Sequence, residues 1–461
     1  MITTNGANDI PIQEVRADFI HQDRYFSKEF AQLEKDQLWL KVWQWACRLE
    51  EIPLVGDYVV YDVVDQSIVV VRTGKDEVKA FHNVCPHRGR RLLSGSGHVT
   101  KFHCIFHAWQ WDLNGNNTRV LDHNQWEGCP AMASEDLKLS PVHVELWAGF
   151  VFISMADEPE SFAEFITPAP DCLGPLAMDK MRLAWHVVID VDSNWKVAQE
   201  AFMESYHVWG THPQLLPYID EANVSEAVAK HGRHSYLTEL PPGMPSRRLN
   251  KTAEMSLDDI REGFSKFISA LGSQLSRNDE LDGQLTARSV HAATDALAAM
   301  PSGTGVEEAI MGAIMAMKAA ADADNAYFPL LTPEEQKKQG EDWNIFPSLS
   351  IVPSFDGTLI FRALPRDNDP NKATIEMISL LHWGEGKAPK VEREHVSDWR
   401  TQHKGVIPPL LLQDLINMED VQKGMQSIGF KGARANPVQE RQISHFHAVI
   451  NEYLYGTAAT I

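Results

Sequence analysis

The 461-residue chain is 44% hydrophobic and 23% charged, the balance of a globular protein, and its length predicts two domains rather than one core. Forty-two Lys plus Arg against 63 Asp plus Glu give a formal charge of −21, which argues against nucleic acid or an anionic membrane as partner. Five cysteines are too few for a disulfide framework, no apolar run is long enough for a membrane span, and the first residues lack a signal-peptide pattern, so a cytoplasmic setting is expected.

In chain order, residues 1–42 run into a helical stretch, FSKEFAQLEKDQLWLKVWQ, expected to pack back on a later domain. GDYVVYDVVDQSIVVVRTGKDEVKAFHNVC follows, β-branched runs broken by DQ and GKD, which predicts antiparallel strands feeding a loop. WQWDLNGNN carries a turn signal at Asn114-Gly115, and HVELWAGFVFISMAD (143–157) predicts a further strand pair. The acidic ADEPESFAEF marks an exit, so a small all-β domain is expected over 43–158.

Inside that domain, Cys-x-His is followed after sixteen residues by Cys-x-x-His, which puts one thiolate and one imidazole in each of two loops: Cys85 with His87, Cys104 with His107. Zinc modules use the same residues but usually pair like with like. A Rieske [2Fe–2S] cluster takes two thiolates on one iron and two imidazoles on the other, which interleaved pairs supply. The cluster is the expected occupant and zinc the alternative. Pro86 stiffens the first loop, and SGSG (94–97) gives a flexible turn between the pairs.

An electron-carrying domain needs an acceptor, and SNWKVAQEAFMESYHVWGTHPQ (193–214) is where one is expected. It reads as a helix mixing Glu200, Glu204, Tyr206, His207 and His212 with Trp195, Val197, Phe202 and Met203. Glu204 and His207 are neighbours three apart. His207 and His212 lie on different faces of a regular helix, so the helix must widen or end between them to join on one ion. Two imidazoles plus a carboxylate form the facial triad of non-haem Fe(II) oxygenases. Asp414, in the apolar helical LLLQDLINMEDVQKGM (410–425), is the expected carboxylate, because an unpaired Asp there is costly. Glu419 and Asp420 are rivals expected at the surface.

Residues 289–328, rich in Ala and Met and broken by PSGTG, read as a packed helical pair, with an insertion over an apolar pocket as the alternative. NIFPSLSIVPSFDGTLIFRALPRDNDPNKATIEMISLLHW reads as an antiparallel meander turning at Asp356-Gly357 and at DNDPNK. Helices against that sheet give an α+β catalytic domain from 1–42 and 159–461.

Over nearly its whole length the chain resembles the catalytic α subunit of Rieske non-haem iron ring-hydroxylating oxygenases, through CPHRG, CIFHAW, NWKVAQEAF, YHVWGTH and QDLINMEDVQ. The resemblance implies a Rieske domain followed by a helix-grip catalytic domain. It implies cluster ligands Cys85, His87, Cys104 and His107, and mononuclear Fe(II) ligands His207, His212 and Asp414. It further implies a ring-shaped homotrimer in which a carboxylate three residues before the first iron His bridges to a neighbour's cluster His. That position is usually Asp; here it is Glu204, as in the family's quaternary-ammonium oxygenases. Ala201 stands for a common Asn, which removes a polar group near the mononuclear iron; in CIFHAW, Phe106 stands for a frequent Tyr and Ala108 for a Gly, and fewer donors around the cluster imply a lower potential.

The expected function is a terminal oxygenase that uses O₂ to hydroxylate, as a cis-diol, an aromatic or other hydrophobic substrate in aromatic hydrocarbon catabolism. The alternative is a monooxygenase that demethylates a quaternary ammonium or methyl ether, and a remote one is a Rieske electron carrier. No nucleotide or flavin motif stands out, so NAD(P)H is expected to act through a separate reductase, with a ferredoxin and a β subunit left open as partners.

Overall fold

Alternating β-branched runs build the first of two units, Lys35–Phe165. In the computed structural model, residues 15–236, 241–250, 255–277 and 281–456 are described. The unit's strands are β1 (Gln44–Arg48), β2 (Asp57–Val63), β3 (Gln66–Gly74), β4 (Glu77–His82), β5 (Ser96–His98), β6 (Phe102–His103), β7 (Gln110–Trp111), β8 (Asn117–Arg119), β9 (Pro141–Trp147) and β10 (Phe150–Ser154). Seven of them form one antiparallel sheet in the order β1-β10-β9-β4-β3-β2-β5, and β8-β7-β6 form a second. Val60, Val69, Val71, Phe81, Phe102 and Trp111 make the core, and Cys85 and Cys104 are buried in the same cluster. The β7–β8 turn closes through Asp112 and Asn116, with Gly115 at φ +80°. A Cβ at Gly115 would lie 2.6 Å from the Phe81 ring, so the turn needs glycine twice over.

The unit runs beyond the 43–158 that the strand pattern delimits, because aromatic packing extends it at both ends. Phe162 lies against the Trp43 and Phe152 rings, 5.2 and 5.1 Å away.

The second unit joins the chain up to Glu34 with Ile166 onward. Besides a small three-stranded sheet of Val15–Arg16, Phe19–His21 and Gly432–Ala433, its strands are β11 (Arg182–Val191), β12 (Asn223–Val228), β13 (His231–Tyr236), β14 (Asp342–Ile345), β15 (Leu349–Pro353), β16 (Gly357–Pro365), β17 (Ala373–Leu381) and β18 (Glu394–Val396). Strands β11 to β18 form one eight-stranded sheet, β12-β13-β14-β15-β16-β17-β11-β18, antiparallel except where β18 runs parallel to β11. The meander and both its turns are present: Ser354 N–H donates to Gly357 O, and Arg366 N–H to Lys372 O. The fold is α+β.

The helices that bear on the site and the core are α1 (Trp195–Glu200), α2 (Val208–Thr211), α3 (Leu257–Ser273), α4 (Ala287–Ala299), α5 (Val306–Ala323), α6 (Pro409–Met425) and α7 (Arg441–Tyr455). Strand β16 is buried along both faces, which explains its continuous apolar run. Helix α1 packs on β16 and β17, and α7 on β12 and β13. The 289–328 segment folds as the α4–α5 hairpin, packed on α3 through Ala293, Leu297, Ala309, Ala313 and Met317. Small residues at helical spacing let these helices approach closely, so the helical-pair reading describes it. No helix among the described residues is long and apolar enough to cross a membrane.

Candidate metal centres

The first centre is built from two loops of matching backbone geometry. In residues 85–90 the Cys85 N–H donates to Arg90 O, and the Gly89 N–H donates back to Cys85 O. In residues 104–109 the Cys104 N–H donates to Trp109 O, and the Ala108 N–H donates back to Cys104 O. The fifth residue of each loop is left-handed: Gly89 at φ +72° and Ala108 at φ +58°. Such loops turn back on themselves and present cysteine and histidine on one side.

Both cysteines are buried, and the rings of His87 and His107 meet edge to face with centroids 4.5 Å apart. His87 stacks flat on Trp109 at 4.7 Å, which fixes its plane. Burial pushes the Cys85 thiol up, the amides of His87 and Arg88 at its sulfur pull it down, and the adjacent Cys104 thiol raises it again. Nδ1 of His87 and Nδ1 of His107 are buried without a hydrogen-bond partner. A buried imidazole nitrogen left unpaired is costly, and a metal bond relieves that cost. Two thiols and two unpaired imidazole nitrogens fit a [2Fe–2S] cluster better than they fit each other.

The second centre lies in the other unit. The segment read as one helix over 193–214 is two: α1 stops at Glu200, and α2 begins only at Val208. Irregular backbone runs between them, and His207 and His212 cap the two ends of α2, the helix ending at His212. Their rings then meet at 5.3 Å. Asp414 enters from α6, whose Leu411, Leu415 and Met418 are buried on the same side. Its Oδ1 lies 2.8 Å from His212 Nε2 and 3.5 Å from His207 Nε2. One ligand atom from each of the three lies within 4.8 Å of the others.

Outer partners hold both rings. Glu204 Oε1 lies 2.8 Å from His207 Nδ1, and its Oε2 accepts from the His207 N–H. Gln413 Oε1 lies 2.7 Å from His212 Nδ1 and also accepts from Gln214 Nε2. Burial disfavours a charged His207, but Glu204 and Asp414 outweigh it and hold the ring up to about 9. Two carboxylates that trap a proton between imidazoles form a site where a divalent cation can take the proton's place. The residues fit the facial triad.

The rival carboxylates do other things. Asp420 is exposed, whereas Glu419 is buried rather than at the surface, because Trp399 Nε1 donates to it and Arg400 pairs with it. Gln413 and Gln214 were not singled out in the sequence: each adjoins a feature of interest, but an amide beside a histidine carries no spacing signal.

The Rieske [2Fe-2S] domain pattern matches residues 42–130. The pattern of the ring hydroxylating alpha subunit (catalytic domain) matches residues 178–267 and 284–456, more than half of the chain. The chain belongs to the ring-hydroxylating alpha-subunit family. That family's proteins carry a Rieske [2Fe–2S] cluster and a mononuclear iron in the catalytic domain. Among curated relatives, the glycine betaine monooxygenase oxygenase subunit of Chromohalobacter salexigens is 36% identical over 209 residues, 44% of each chain. The chain thus spans about half the length of the curated relatives it matches.

Among solved structures, the quaternary ammonium Rieske monooxygenase CntA with L-carnitine superposes with a TM-score of 0.62 at 19% identity, over 95% of this chain and 97% of that one. Naphthalene 1,2-dioxygenase with indole bound gives 0.65 at 17% identity, over 97% and 94%. At these identities the structural likeness speaks for the fold alone.

Proposed function

We propose that this alpha-subunit family member is the oxygenase component of a monooxygenase that hydroxylates a methyl group on a quaternary ammonium substrate. The observation that carries this reading is Glu204, one methylene longer than the family's usual Asp and bonded to His207 Nδ1 at 2.8 Å. The curated similarity to a glycine betaine monooxygenase subunit supports it. The cis-dihydroxylation expected first from the sequence becomes the second reading, since its only structural support is the shared fold.

In this reading Cys85, Cys104, His87 and His107 hold the cluster, and His207, His212 and Asp414 hold the mononuclear iron. When bound, these groups supply single electrons and a site for O₂ activation. Glu204 fixes the His207 tautomer so that Nε2 faces Asp414, and its second oxygen ties the ring to the backbone. The buried Asp414 and His212 keep water access low, which favours spending electrons on substrate rather than on solvent. Hydroxylation of an N-methyl group, with one oxygen of O₂ inserted and the other reduced to water by two electrons and two protons, gives an N-hydroxymethyl ammonium ion, which breaks its C–N bond to release formaldehyde and a proton and leave the tertiary amine. Electrons come from a separate reductase, with or without a ferredoxin, and the working assembly is a trimer.

Metal and sulfide analysis of anaerobically purified protein should give about three irons and two sulfides per chain, the sum of the two site types. His207→Ala should lose about one iron and all turnover while keeping the cluster's visible bands. Bands lost with that iron would contradict two separate centres. With a reductase, formaldehyde formed from glycine betaine or carnitine supports demethylation; a diol formed from naphthalene, without formaldehyde, would favour the second reading.

A further inference from the structure

The two proposed iron histidines are held by partners of different chemistry, and we infer that His212 is set for metal by a reversible turn of the Gln413–Gln214 amide pair, a role that rests on the ligand set proposed above. Glu204 is a carboxylate and only accepts, so His207 Nδ1 carries a hydrogen and Nε2 is the nitrogen left for a cation. Gln413 is an amide, which accepts through oxygen and donates through nitrogen.

With the Gln413 oxygen toward the ring, 2.7 Å from Nδ1, His212 carries its hydrogen on Nδ1 and its Nε2 is free to ligate. Turned over, the amide NH₂ donates to Nδ1 and the ring hydrogen sits on Nε2. From there it donates to Asp414 Oδ1, 2.8 Å away. Gln214, 2.8 Å from Gln413, follows the turn because its own amide can present either end. In the second arrangement every polar group of the chain Gln214–Gln413–His212–Asp414 has a partner, whereas in the first His212 Nε2 and Asp414 Oδ1, 2.8 Å apart, face each other as two acceptors that a cation would join. The first arrangement is ready for a cation. The second closes the site with a hydrogen bond between two of its ligands, without burying an unpaired lone pair. Gln413 and Gln214 are thus positioning residues for metal loading: His207 is preset, and His212 is convertible.

The test uses the full chain with its cluster intact and the mononuclear site stripped by chelator, with Co(II) as the probe. Affinity is read by chelator competition and the loading rate by the growth of the cobalt ligand-field bands. Gln413→Leu removes the partner in both arrangements and should weaken Co(II) binding about 10- to 100-fold, the usual loss for a missing outer partner of a ligating histidine. Gln413→Glu locks the Nδ1–H tautomer, as Glu204 does for His207, and should restore wild-type affinity or better with faster loading. Gln214→Leu should slow or weaken loading less than Gln413→Leu does. Rescue by Glu separates positioning from packing, since the two side chains fill the same volume.

Wild-type affinity in Gln413→Leu, or equal loss in Gln413→Glu and Gln413→Leu, would overturn the amide switch while leaving the ligand set standing. If the wild type binds Co(II) no better than His212→Ala does, the ligand set itself fails, and the role of the amide pair with it.

Discussion

Glu200, four residues before Glu204, shows how far a side chain's surroundings can move its chemistry. Tyr25 Oη donates to its Oε2, and His447 Nε2 lies 2.7 Å from its Oε1. Arg24 Nε donates to His447 Nδ1, so the ring is neutral with its hydrogen on Nε2. Burial pushes the Glu200 carboxyl up to about 8, although Tyr25, Lys196 and Arg24 favour its charge. An acid whose folded pKa lies above its unfolded value of 4.5 binds a proton that the unfolded chain has released. Its contribution to stability is full below about 4.5 and is lost as pH climbs through about 8. His447 runs the other way: burial holds it well below the usual histidine range, so its contribution is lost as pH falls through that range. Wild-type stability should therefore decline between pH 6.5 and 8.5, by an amount on the order of 1–3 kcal/mol. Glu200→Gln should flatten the decline, as read from urea midpoints; equal slopes in both proteins would mean that Glu200 is already ionised at pH 6.5. None of these partners is legible in the sequence, where Arg24, Glu34 and Lys196 look like surface charges. In the fold Lys196 and Glu34 pair at 2.8 Å, both buried.

Among the elements, the two cluster loops and the α3–α5 bundle are each held at one point. The cluster loops share one backbone plan, yet the left-handed position is Gly89 in one and Ala108 in the other. A non-glycine residue there costs roughly 1–2 kcal/mol, part of which glycine repays as unfolded-chain entropy. Ala108→Gly should raise the thermal midpoint of cluster bleaching by an amount equivalent to about 1 kcal/mol. An unchanged or lower midpoint would show that the alanine methyl packs usefully.

In the bundle, the fully buried Asp356 accepts from Thr286 N–H, Thr286 Oγ1, Ser289 Oγ and Arg288 Nη2, which ties the start of α4 to the β15–β16 turn. Asp356→Ala leaves buried donors and an arginine unpaired, at roughly 3 kcal/mol or more. Hydrogen exchange should then speed up across α4 and α5 before the sheet is affected; protection that falls evenly through the unit would remove the clamp from the account. The Asp356-Gly357 turn was readable from its dipeptide. That its aspartate serves a helix start 70 residues earlier was not.

For the whole molecule, the charge of −21 sets a background that no single contact cancels. Self-repulsion of that size is screened over about 8–10 Å near physiological salt. Raising monovalent salt from about 10 to 150 mM should lift the melting temperature by a few degrees. A fall would mean that attractive pairs such as Arg247–Asp220 and Arg233–Glu226 outweigh the net repulsion.

By itself the sequence determined which groups lie close along the chain, because backbone geometry alone brings them together. Those are the interleaved Cys85–His87 and Cys104–His107 pairs, the Glu204–His207 neighbours, the strand alternation and the turn dipeptides. Tertiary structure decided whatever depends on packing between distant segments. It brought Asp414 to His212, 202 residues away, and gave that histidine an amide rather than a carboxylate as its second partner. It also broke the 193–214 helix between Glu200 and Val208, so that His207 and His212 flank the one-turn α2 and both reach Asp414.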